Sequence, residues 1–273
     1  MKLTFLGTAA YEGIPALFCN CAYCNQARQL GGKDIRTRSQ TLINDDLLID
    51  FPPDSYTHFL RNNIEGHKIR YLLVTHSHSD HLYPADLLAR GSVYAHDMAV
   101  PTLQILGSEG TCRALSAVQN QLNNITFQPN LPYETRQLGP YTVTALPAQH
   151  MEGDNPVFYI IKGEKTLLYA HATGYFFEEE VFDYIRDHKP VFDLVSLDCT
   201  YVDLPSPDNN HHMGFDRIAK VLARLEAMGA VTESTEKVAN HFSHNGNPIH
   251  ERITVCAAQA GCVPSYDGMT VEF

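Results

Sequence analysis

The sequence predicts an α/β (α+β) protein that is rich in β-sheet. Short apolar runs bounded by turn residues recur through its first two thirds, and each has the length and composition of a strand. Amphipathic segments with helical spacing accompany them. The chain has 273 residues, of which 44% are hydrophobic and 19% charged. It can therefore bury a large core in one or two domains, and it is not mainly disordered.

The strands are predicted, in chain order, at residues 3–6, 41–43, 47–49, 71–74, 141–145, 157–161, 166–169 and 191–197. Turn residues at 44–46 and 163–164 separate two pairs of these strands and predict hairpins. The clearest helix is predicted over residues 214–228, where apolar residues recur at helical spacing, and a second over 178–188. The segment 205–210 is rich in Pro, Asp and Asn and is expected to be a surface loop.

The charge of the chain argues against electrostatic binding of nucleic acid or anionic lipid. Its formal net charge is −11 at pH 7, and no cluster of consecutive Lys or Arg residues occurs. It also lacks a run of about 18 apolar residues, and its opening MKLTFLGTAA does not have the basic-then-apolar layout of a signal peptide. We therefore expect a soluble cytoplasmic protein that binds neither DNA nor a membrane.

Seven cysteines are present, and Cys19, Cys21 and Cys24 lie within six residues. In a reducing compartment such crowding indicates a metal site rather than disulfides. The remaining cysteines are scattered and are predicted to be buried small side chains without a chemical role. They are Cys112, Cys199, Cys256 and Cys262.

The strongest functional signal is a cluster of potential metal ligands at the end of a predicted strand. The apolar run 71–74 leads into His76, His78, Asp80 and His81, an HxHxDH pattern. Two histidines at positions i and i+2 point the same way in an extended chain, whereas Asp80 and His81 follow the turn and can face a second ion. The alternative is a solvated polar loop, which is disfavoured because the cluster follows a buried strand. The loop therefore predicts a site for two ions.

This pattern resembles the signature of the metallo-β-lactamase superfamily. The resemblance extends along nearly the whole chain, since Leu6-Gly7-Thr8 and Leu48-Ile49-Asp50 end two strands and His150 and His241 follow later ones. Within the superfamily the chain is similar to the PhnP-type cyclic phosphodiesterases, which act on phosphoribosyl 1,2-cyclic phosphate, because segments CNCAYC (19–24) and HFSH (241–244) match a zinc site of those proteins. The resemblance implies one four-layer αββα sandwich over residues 1–273, with an N-terminal zinc-binding loop at 19–24 and metals at one edge between the sheets.

The resemblance also implies which residues bind the divalent ions. One ion would be bound by His76, His78 and His150, and the other by Asp80, His81 and His241. Imidazole and carboxylate ligands suit zinc, manganese or iron, so the spacing identifies a divalent site but not its metal.

A separate structural zinc is implied near the start of the chain. Its ligands would be Cys19, Cys21, Cys24 and His244. Three thiolates and one imidazole leave no open coordination position, which is typical of a structural site. Since His244 follows His241 by three residues, this zinc would hold the N-terminal loop behind a catalytic ligand. The alternative is a group of reduced cysteines without metal.

One position departs from the family pattern. The family carries a bridging Asp in a Thr-Asp-Thr-Gly-like motif after His150, whereas this chain reads His171-Ala172-Thr173-Gly174. Ala172 stands where a carboxylate would bridge the ions, so we expect the second ion to bind more weakly. His171 cannot replace it, because neighbouring strand residues face opposite sides, and it is expected to pack or to support the site. With every other ligand present, the pattern favours an engineered or recently lost Asp.

Two further carboxylates are expected to support the ligands. Asp50 follows the predicted strand at 47–49, and Asp198 follows the predicted strand at 191–197. Each can orient a metal-binding imidazole through its second ring nitrogen. Either could instead be an ordinary acidic turn residue.

The resemblance implies hydrolysis of a small cyclic phosphodiester. Two ions about 3.5–4 Å apart can activate a hydroxide as nucleophile and polarise a phosphoryl oxygen. Asp80 and His212 are the candidate catalytic residues. Residues 210–214 (NHHMG) are similar to the His-Met-Ser/Gly motif of the family, which opens a helix and points its histidine at the substrate. A surface histidine at a helix start is the alternative for His212.

Other functions remain as alternatives to the phosphodiesterase. A PqqB-like protein of cofactor biosynthesis also carries an N-terminal Cys-x-Cys-x-x-Cys, but the full histidine set favours the hydrolase. A tRNA-processing nuclease is disfavoured by the acidic charge. Thioesterases and lactamases share the histidine loop, but nothing in them accounts for the cysteines. A catalytically silent metal- or phosphate-binding protein is the non-enzymatic alternative, and a homodimer is expected from the family alone.

Overall fold

The computed structural model describes residues 1–150, 152–175, 179–207 and 211–273. Its strands are β1 (Lys2–Gly7), β2 (Gln40–Ile43), β3 (Leu47–Ile49), β4 (Tyr71–Val74), β5 (Leu103–Gly107), β6 (Ile125–Pro129), β7 (Thr135–Leu138), β8 (Tyr141–Pro147), β9 (Val157–Lys162), β10 (Thr166–Ala170), β11 (Leu194–Asp198), β12 (Glu236–Asn240), β13 (Val263–Pro264) and β14 (Met269–Glu272). The α-helices are α1 (Ala22–Leu30), α2 (Ser55–Arg61), α3 (Pro84–Leu87), α4 (Glu109–Ser116), α5 (Glu179–His188), α6 (Phe215–Ala227) and α7 (His250–Gln259). Within the described ranges no helix has the length and apolar character needed to cross a membrane.

The strands form two seven-stranded mixed sheets. The first sheet has the order β14-β1-β2-β3-β4-β5-β6, and the second has the order β13-β12-β11-β10-β9-β8-β7. Strands β3 to β6 are parallel to one another, and so are β10 to β13. The central strands are buried along their whole length, which explains why they appear in the sequence as continuous apolar runs.

Three apolar clusters separate four layers. One lies between the sheets, where residues such as Leu73 and Tyr159 meet. The second packs α5, α6 and α7 on the outer face of the second sheet. The third packs residues of α2, α3 and α4 on the outer face of the first sheet. The architecture is therefore helix, sheet, sheet, helix, and the predicted αββα sandwich is confirmed.

The apolar runs that predicted strands correspond closely to strands of the structure. The strand predicted at 191–197 begins at Leu194 instead, because the backbone N–H of Phe192 donates to the Ala230 carbonyl, which lies outside the sheet. The helix predicted at 214–228 spans Phe215–Ala227, and the one predicted at 178–188 is described from Glu179 onward, since residue 178 lies outside the described residues. Residues 205–207 have no regular structure, as predicted, and 208–210 lie outside the described residues.

The two sheets bring several strand ends to one edge. Strands β3 and β4 of the first sheet end there, and so do β8, β10, β11 and β12 of the second. The sheets are joined close to this edge, since the Tyr159 hydroxyl donates to the Val74 carbonyl at 2.7 Å and the Val157 N–H donates to the Thr75 carbonyl at 2.9 Å. The residues that follow these strands therefore face one another across the gap between the sheets.

Candidate metal centre

Three histidines from both sheets form the first set of donor atoms. His76 and His78 follow β4, and His150 follows β8. The Nδ1 atom of His78 lies 2.9 Å from Nε2 of His76 and 3.0 Å from Nε2 of His150. His76 is buried, whereas His78 and His150 line a cleft. The structure thus brings together the three histidines that the sequence assigned to one ion.

The second donor set contains Asp80, His81 and His241. The Nε2 atom of His81 lies 3.2 Å from Nε2 of His241 and 3.2 Å from Oδ2 of Asp80. All three residues are buried. Because His241 follows β12, this set joins the HxHxDH loop of the first sheet to the parallel strands of the second.

Both sets have the spacing that a divalent cation requires. Two nitrogens that each lie about 2.0–2.1 Å from one ion stand about 2.9–3.4 Å apart, depending on the angle between them. The distances of 2.9, 3.0 and 3.2 Å between the imidazole nitrogens fall in this interval. Within the described residues, the buried Oδ1 of Asp80 has no hydrogen-bond partner, which is unusual for a buried polar atom. These donor sets suit zinc, manganese or iron.

Asp50 fixes the orientation of His81. Nδ1 of His81 donates to Oδ2 of Asp50 at 2.7 Å, so Nε2 points toward the second donor set. The other carboxylate oxygen accepts the backbone N–H and the hydroxyl of Thr75 at 2.9 and 3.0 Å. Asp50 is buried and adopts φ 63°, a left-handed conformation that Asp tolerates better than most residues. It occupies the supporting position that the sequence predicted.

Asp198 and Thr200 hold His241 and His212 side by side. Oδ2 of Asp198 accepts from Nδ1 of His212 at 2.9 Å, and Oδ1 accepts the N–H of Thr200 at 3.0 Å. The Thr200 hydroxyl lies 2.8 Å from Nδ1 of His241 and donates to the carbonyl of the same residue at 3.0 Å. Sequence reasoning identified Asp198 but missed Thr200, whose one signal is its position two residues after β11.

A cleft of about 490 Å³ opens over both donor sets. Its walls include His78, Asp80, His150, His212 and His241. The ring of His212 stacks on that of His241 at 5.4 Å and meets the ring of His150 at 4.7 Å. The His212 side chain keeps 17% of its surface exposed and, like His78 and His150, is accessible from the cleft.

The donor groups strongly perturb one another's pKa values. Burial opposes a charge on His81, but the Asp80 and Asp50 carboxylates outweigh it and raise the pKa of His81 to about 10. Burial would raise the pKa of Asp80, yet the neighbouring His81 holds it well below its usual range. Burial and the adjacent imidazoles lower the pKa of His150 to about 2. A cation bound here would displace the His81 proton, so metal binding at this set is coupled to proton release.

Ala172 lies at the same edge of the second sheet. It follows β10 by two residues, is 1% exposed and adopts φ 50°. This left-handed conformation disfavours a Cβ-bearing residue in general but is tolerated by Asp and Asn. The backbone at position 172 is thus suited to the carboxylate that the family pattern has there.

His171 takes part in a buried polar network rather than in a donor set. Its Nδ1 accepts from the Asn240 side chain at 3.2 Å, and its Nε2 donates to the Ser196 hydroxyl at 2.7 Å. Asn240 directly precedes His241, so the network supports the backbone from which that imidazole projects. This arrangement agrees with the packing or supporting role expected for His171.

Asp154 is a positioning residue that sequence reasoning missed. Its carboxylate accepts the N–H and the hydroxyl of Ser77 at 3.2 and 2.5 Å, and the Ser108 hydroxyl at 2.9 Å. Ser77 lies between His76 and His78, while Asp154 belongs to the loop that follows His150. The carboxylate therefore ties together the two loops that carry the first donor set. Gly110 packs so closely against it that a Cβ would overlap the carboxylate.

The predicted zinc ligands near the start of the chain converge in space. Donor atoms of Cys19, Cys21, Cys24 and His244 all lie within 4.8 Å of one another. The sulfurs of Cys21 and Cys24 lie 3.7 and 3.5 Å from Nδ1 of His244, close to the ~3.6 Å between sulfur and nitrogen ligands of a tetrahedral zinc. The backbone N–H of Cys24 and the imidazole of His244 lower the pKa of Cys21 to about 6, which favours a thiolate.

Three of the four remaining cysteines match the prediction of buried small side chains. Cys199, Cys256 and Cys262 are buried in the cluster between the second sheet and its helices, and Cys112 is half-buried. Burial raises the pKa of Cys262 to about 12 and that of Cys112 to about 11, so both thiols are protonated and unreactive near neutral pH.

Solved structures share this fold along the whole chain. A diphosphatase from the PhnP family matches with 22% identity and a TM-score of 0.74, covering 100% of this chain and 97% of that one. Zn²⁺-bound PqqB from Methylobacterium extorquens matches with 19% identity and a TM-score of 0.75, covering 100% of both chains. The short form of human tRNase Z matches with 14% identity and a TM-score of 0.62, covering 100% of this chain and 99% of that one. At these identities the likeness shows the fold alone.

Comparison at the level of sequence gives the family. No curated protein matches the chain. The sequence model of the family described as "Beta-lactamase superfamily domain" matches residues 47–233, which is more than half of the chain and includes the HxHxDH loop. With the metallo-β-lactamase fold and the paired donor sets at the edge between its sheets, the chain belongs to the β-lactamase superfamily.

Proposed function

We propose that the protein is a metal-dependent hydrolase that cleaves a small, cyclic phosphodiester. The observation that carries the proposal is the cleft in which two complete donor sets, His76–His78–His150 and Asp80–His81–His241, lie beside the partly exposed ring of His212. When bound, two divalent cations there, zinc or manganese, would activate a water molecule and withdraw charge from a phosphoryl oxygen. The PhnP-family diphosphatase and tRNase Z among the similar structures support phosphoryl chemistry on this fold.

The residues of the chain have separate tasks in this reaction. Asp80 supplies the one carboxylate of the donor sets and balances part of the cationic charge. Asp50 and Thr200 hold His81 and His241 in fixed orientations, so their donor atoms are already in place to bind a cation. Asp154 holds the loop between His76 and His78.

His212 is proposed to assist the leaving group. Its Nδ1 is hydrogen-bonded to Asp198, which leaves Nε2 as the nitrogen that can reach a substrate. A proton delivered from Nε2 to the departing oxygen would neutralise the charge that develops there, and the Asp198 carboxylate would stabilise the imidazolium before transfer. Asp198 thus acts on the reaction through His212.

The size of the cleft supports a small substrate. A volume of about 490 Å³ lies within the range of sites for single small molecules, about 300–1,000 Å³. The net charge of −11 gives no general attraction for a polyanion such as tRNA. We therefore favour a phosphodiester of one sugar or nucleotide over a polynucleotide.

A PqqB-type protein is an alternative that the likeness to Zn²⁺-bound PqqB favours. Another candidate is a protein that binds metal and phosphate without catalysis. The observation that favours it is Ala172, which removes a bridging carboxylate from the edge where the donor sets lie. If the second ion is held weakly, the protein would still bind phosphate but would turn substrate over more slowly.

The first test measures metal content and diesterase activity on the same preparation. Protein purified without added metal is analysed for zinc, manganese and iron, and then assayed with bis(p-nitrophenyl) phosphate and a 2′,3′-cyclic nucleotide at several metal concentrations. Metal-dependent hydrolysis that is lost in His150→Ala and retained in the surface control His188→Ala supports the proposal. Absence of hydrolysis of every diester by the chain and by Ala172→Asp, with metal bound, would favour the silent binding protein.

The role of His212 is tested separately with two leaving groups. His212→Gln is expected to slow cleavage of a diester with an alkoxide leaving group by about 10²–10⁴-fold, the usual range for a general acid. It should slow a p-nitrophenyl diester much less, because nitrophenolate needs no proton. Equal losses for both leaving groups would contradict the proposed proton transfer.

A further inference from the structure

A second cavity lies on the outer face of the first sheet, beneath α2 and α3. It has a volume of about 400 Å³, and none of the donor residues of the metal centre lines it. Its walls are formed largely by buried side chains of the outer apolar cluster, among them Leu48, Leu72, Leu87 and Leu103. This volume falls in the range that small-molecule sites occupy, about 300–1,000 Å³.

The inner part of this cavity offers no polar group to a ligand. Ser55 is a polar residue in its wall, but its hydroxyl already donates to the Pro52 carbonyl at 2.6 Å and accepts from the Gln40 side chain at 3.0 Å. Leu72 is fully buried, and Leu48 and Leu87 are each 2% exposed. Apolar walls of this kind favour the burial of an apolar group.

The rim of the cavity carries a guanidinium without a counter-ion. Arg90 donates from Nη2 to the Val100 carbonyl at 3.0 Å, but its buried Nε has no hydrogen-bond partner within the described residues. No ion pair of Arg90 occurs in that part of the chain. Asp86 lines the same cavity without pairing with it, and His67 pairs with Glu65 at 3.5 Å instead. Burial lowers the pKa of Arg90, as expected for a charge with little compensation.

We propose that this cavity is a second ligand site, which binds a single-chain amphipathic anion. The hydrocarbon chain would fill the space lined by Leu48, Leu72 and Leu87, and a carboxylate or a similar anionic head would pair with the partly exposed guanidinium of Arg90 at the rim. Burying a chain removes apolar surface of both ligand and cavity from water, while the head completes the hydrogen bonding of the guanidinium. A sugar phosphate carries an anionic group but has no hydrocarbon chain to fill the apolar walls.

The test compares ligands that share a chain and differ in the head. Decanoate, decanol and decyltrimethylammonium are titrated into the metal-loaded protein by calorimetry, below the concentrations at which they form micelles. Decanoate is expected to bind about tenfold more tightly than decanol, which corresponds to one charge-assisted hydrogen bond. Shortening to octanoate should weaken binding by about fourfold for each methylene removed. Vesicles of anionic phospholipid test whether a membrane surface is the true source of the anion.

Variants locate the site. Arg90→Gln should weaken decanoate binding by about tenfold and leave decanol unchanged, whereas Arg90→Lys should retain most of the preference. Ala95→Phe places a ring in the cavity from a rim position and should abolish binding of both ligands. Arg61→Gln changes the same charge on the exposed end of α2, outside the lining, and should have no effect. Circular dichroism confirms that each variant is folded.

Several outcomes would overturn the proposal. They are undetectable binding of decanoate, equal binding of decanoate and decyltrimethylammonium, unchanged binding in both Arg90→Gln and Ala95→Phe, or binding to vesicles alone. The readout is direct binding at a cavity outside the metal centre. It therefore succeeds or fails independently of the proposed phosphodiesterase.

Discussion

Nδ1 of His81 lies 2.7 Å from the Asp50 carboxylate, and both residues are buried where β3 and β4 end. This pair fixes which ring nitrogen of His81 faces Asp80 and His241. A carboxylate, an imidazole and a metal in line form a common arrangement in which the carboxylate orients the ligand and raises its basicity. The same arrangement recurs on the other wall, where Asp198 and Thr200 face Nδ1 of His241.

The first prediction concerns this pair. Asp50→Asn should lower the affinity of the second donor set for zinc or manganese by about 10–100-fold, because the amide holds the ring but does not increase its basicity. Metal titration monitored by calorimetry measures the change. Asp45→Asn removes an exposed carboxylate that pairs with Lys2 and serves as the control. Equal affinities in Asp50→Asn and the unmodified protein would contradict the role of Asp50.

The second prediction concerns the altered bridging position. Ala172→Asp should raise both the bound metal and the turnover of a phosphodiester, because a carboxylate at this edge would compensate two cations and suits the left-handed backbone. Elemental analysis and the diesterase assay measure the two effects. Ala172→Asn has the same shape without the charge and should restore much less. Unchanged metal content and turnover in Ala172→Asp would show that the position has no such function.

The third prediction concerns the cysteine site. Removing the zinc with a strong chelator should lower Tm by about 8–16 °C, since a ligand present at 1,000 times its Kd stabilises the fold by about 4 kcal/mol. Cys21→Ser should remove the same increment and make the protein insensitive to the chelator. Cys112→Ser, a half-buried thiol in α4, is the matched control. A protein whose Tm does not change with zinc would leave these residues as reduced cysteines.

The fourth prediction is a pH dependence of stability away from the metal centre. His58 is buried beneath β2, where its ring contacts Gln40 and Thr37 at 2.7 Å each, and burial lowers its pKa to about 4. Between pH 6.5 and pH 4, the unfolded chain therefore binds more protons than the folded protein does. The free energy of unfolding should fall as the pH drops through this window, by up to about 1.4 kcal/mol per pH unit.

Urea unfolding at a series of pH values measures this effect. His58→Gln should make the profile between pH 6.5 and 4 less steep, the remaining slope coming from other histidines whose pKa is lowered, such as His250. It also lowers stability at neutral pH by breaking the contact with Thr37. His188→Gln, on the exposed end of α5, should leave the slope unchanged. A profile in His58→Gln as steep as that of the unmodified protein would assign the slope to other groups.

The fifth prediction concerns the loop between the first two histidines. Asp154→Asn should weaken binding at the His76–His78–His150 set more than at the other set, because the amide loses the charge that accepts three hydrogen bonds from Ser77 and Ser108. Competitive metal titration of the two sets measures the difference. Asp187→Asn changes an exposed carboxylate of α5 and should alter neither. Equal loss at both sets would point to a general loss of stability instead.

The structural role of Gly110 is part of the same arrangement. Its N–H donates to the backbone carbonyl of Asp154 at 3.0 Å, and no space remains for a side chain between Gly110 and the Asp154 carboxylate. This contact joins α4 to the loop after His150, between residues that are distant in sequence. No local pattern in the sequence marks Gly110 or Asp154 as partners.

The features that depend on local spacing could be predicted from the amino-acid sequence. The apolar runs of β3, β4 and β10 are buried on both faces, so each reads as a strand without knowledge of its neighbours. The HxHxDH loop likewise needs only its own geometry to present two groups of ligands. Among the strands that the patterns missed, β6 and β7 end their sheets with partly exposed residues, where the apolar signal is weak. The missed strands β5 and β12 are largely buried, and polar residues interrupt or shorten their apolar runs.

Which residues distant in sequence contact one another depends on how the two sheets and their helices pack. His150 and His241 were placed through the family resemblance, because a single histidine after a strand carries no local signal. The contacts of Thr200 with His241 and of Asp154 with Ser77 form because the fold brings β11 and the loop after β8 to the same edge. The cavity beside Arg90 likewise arises from the packing of α2 and α3 on the sheet. The physical reason is that spacing along the chain fixes which way a side chain points, whereas its partners depend on how the two sheets pack.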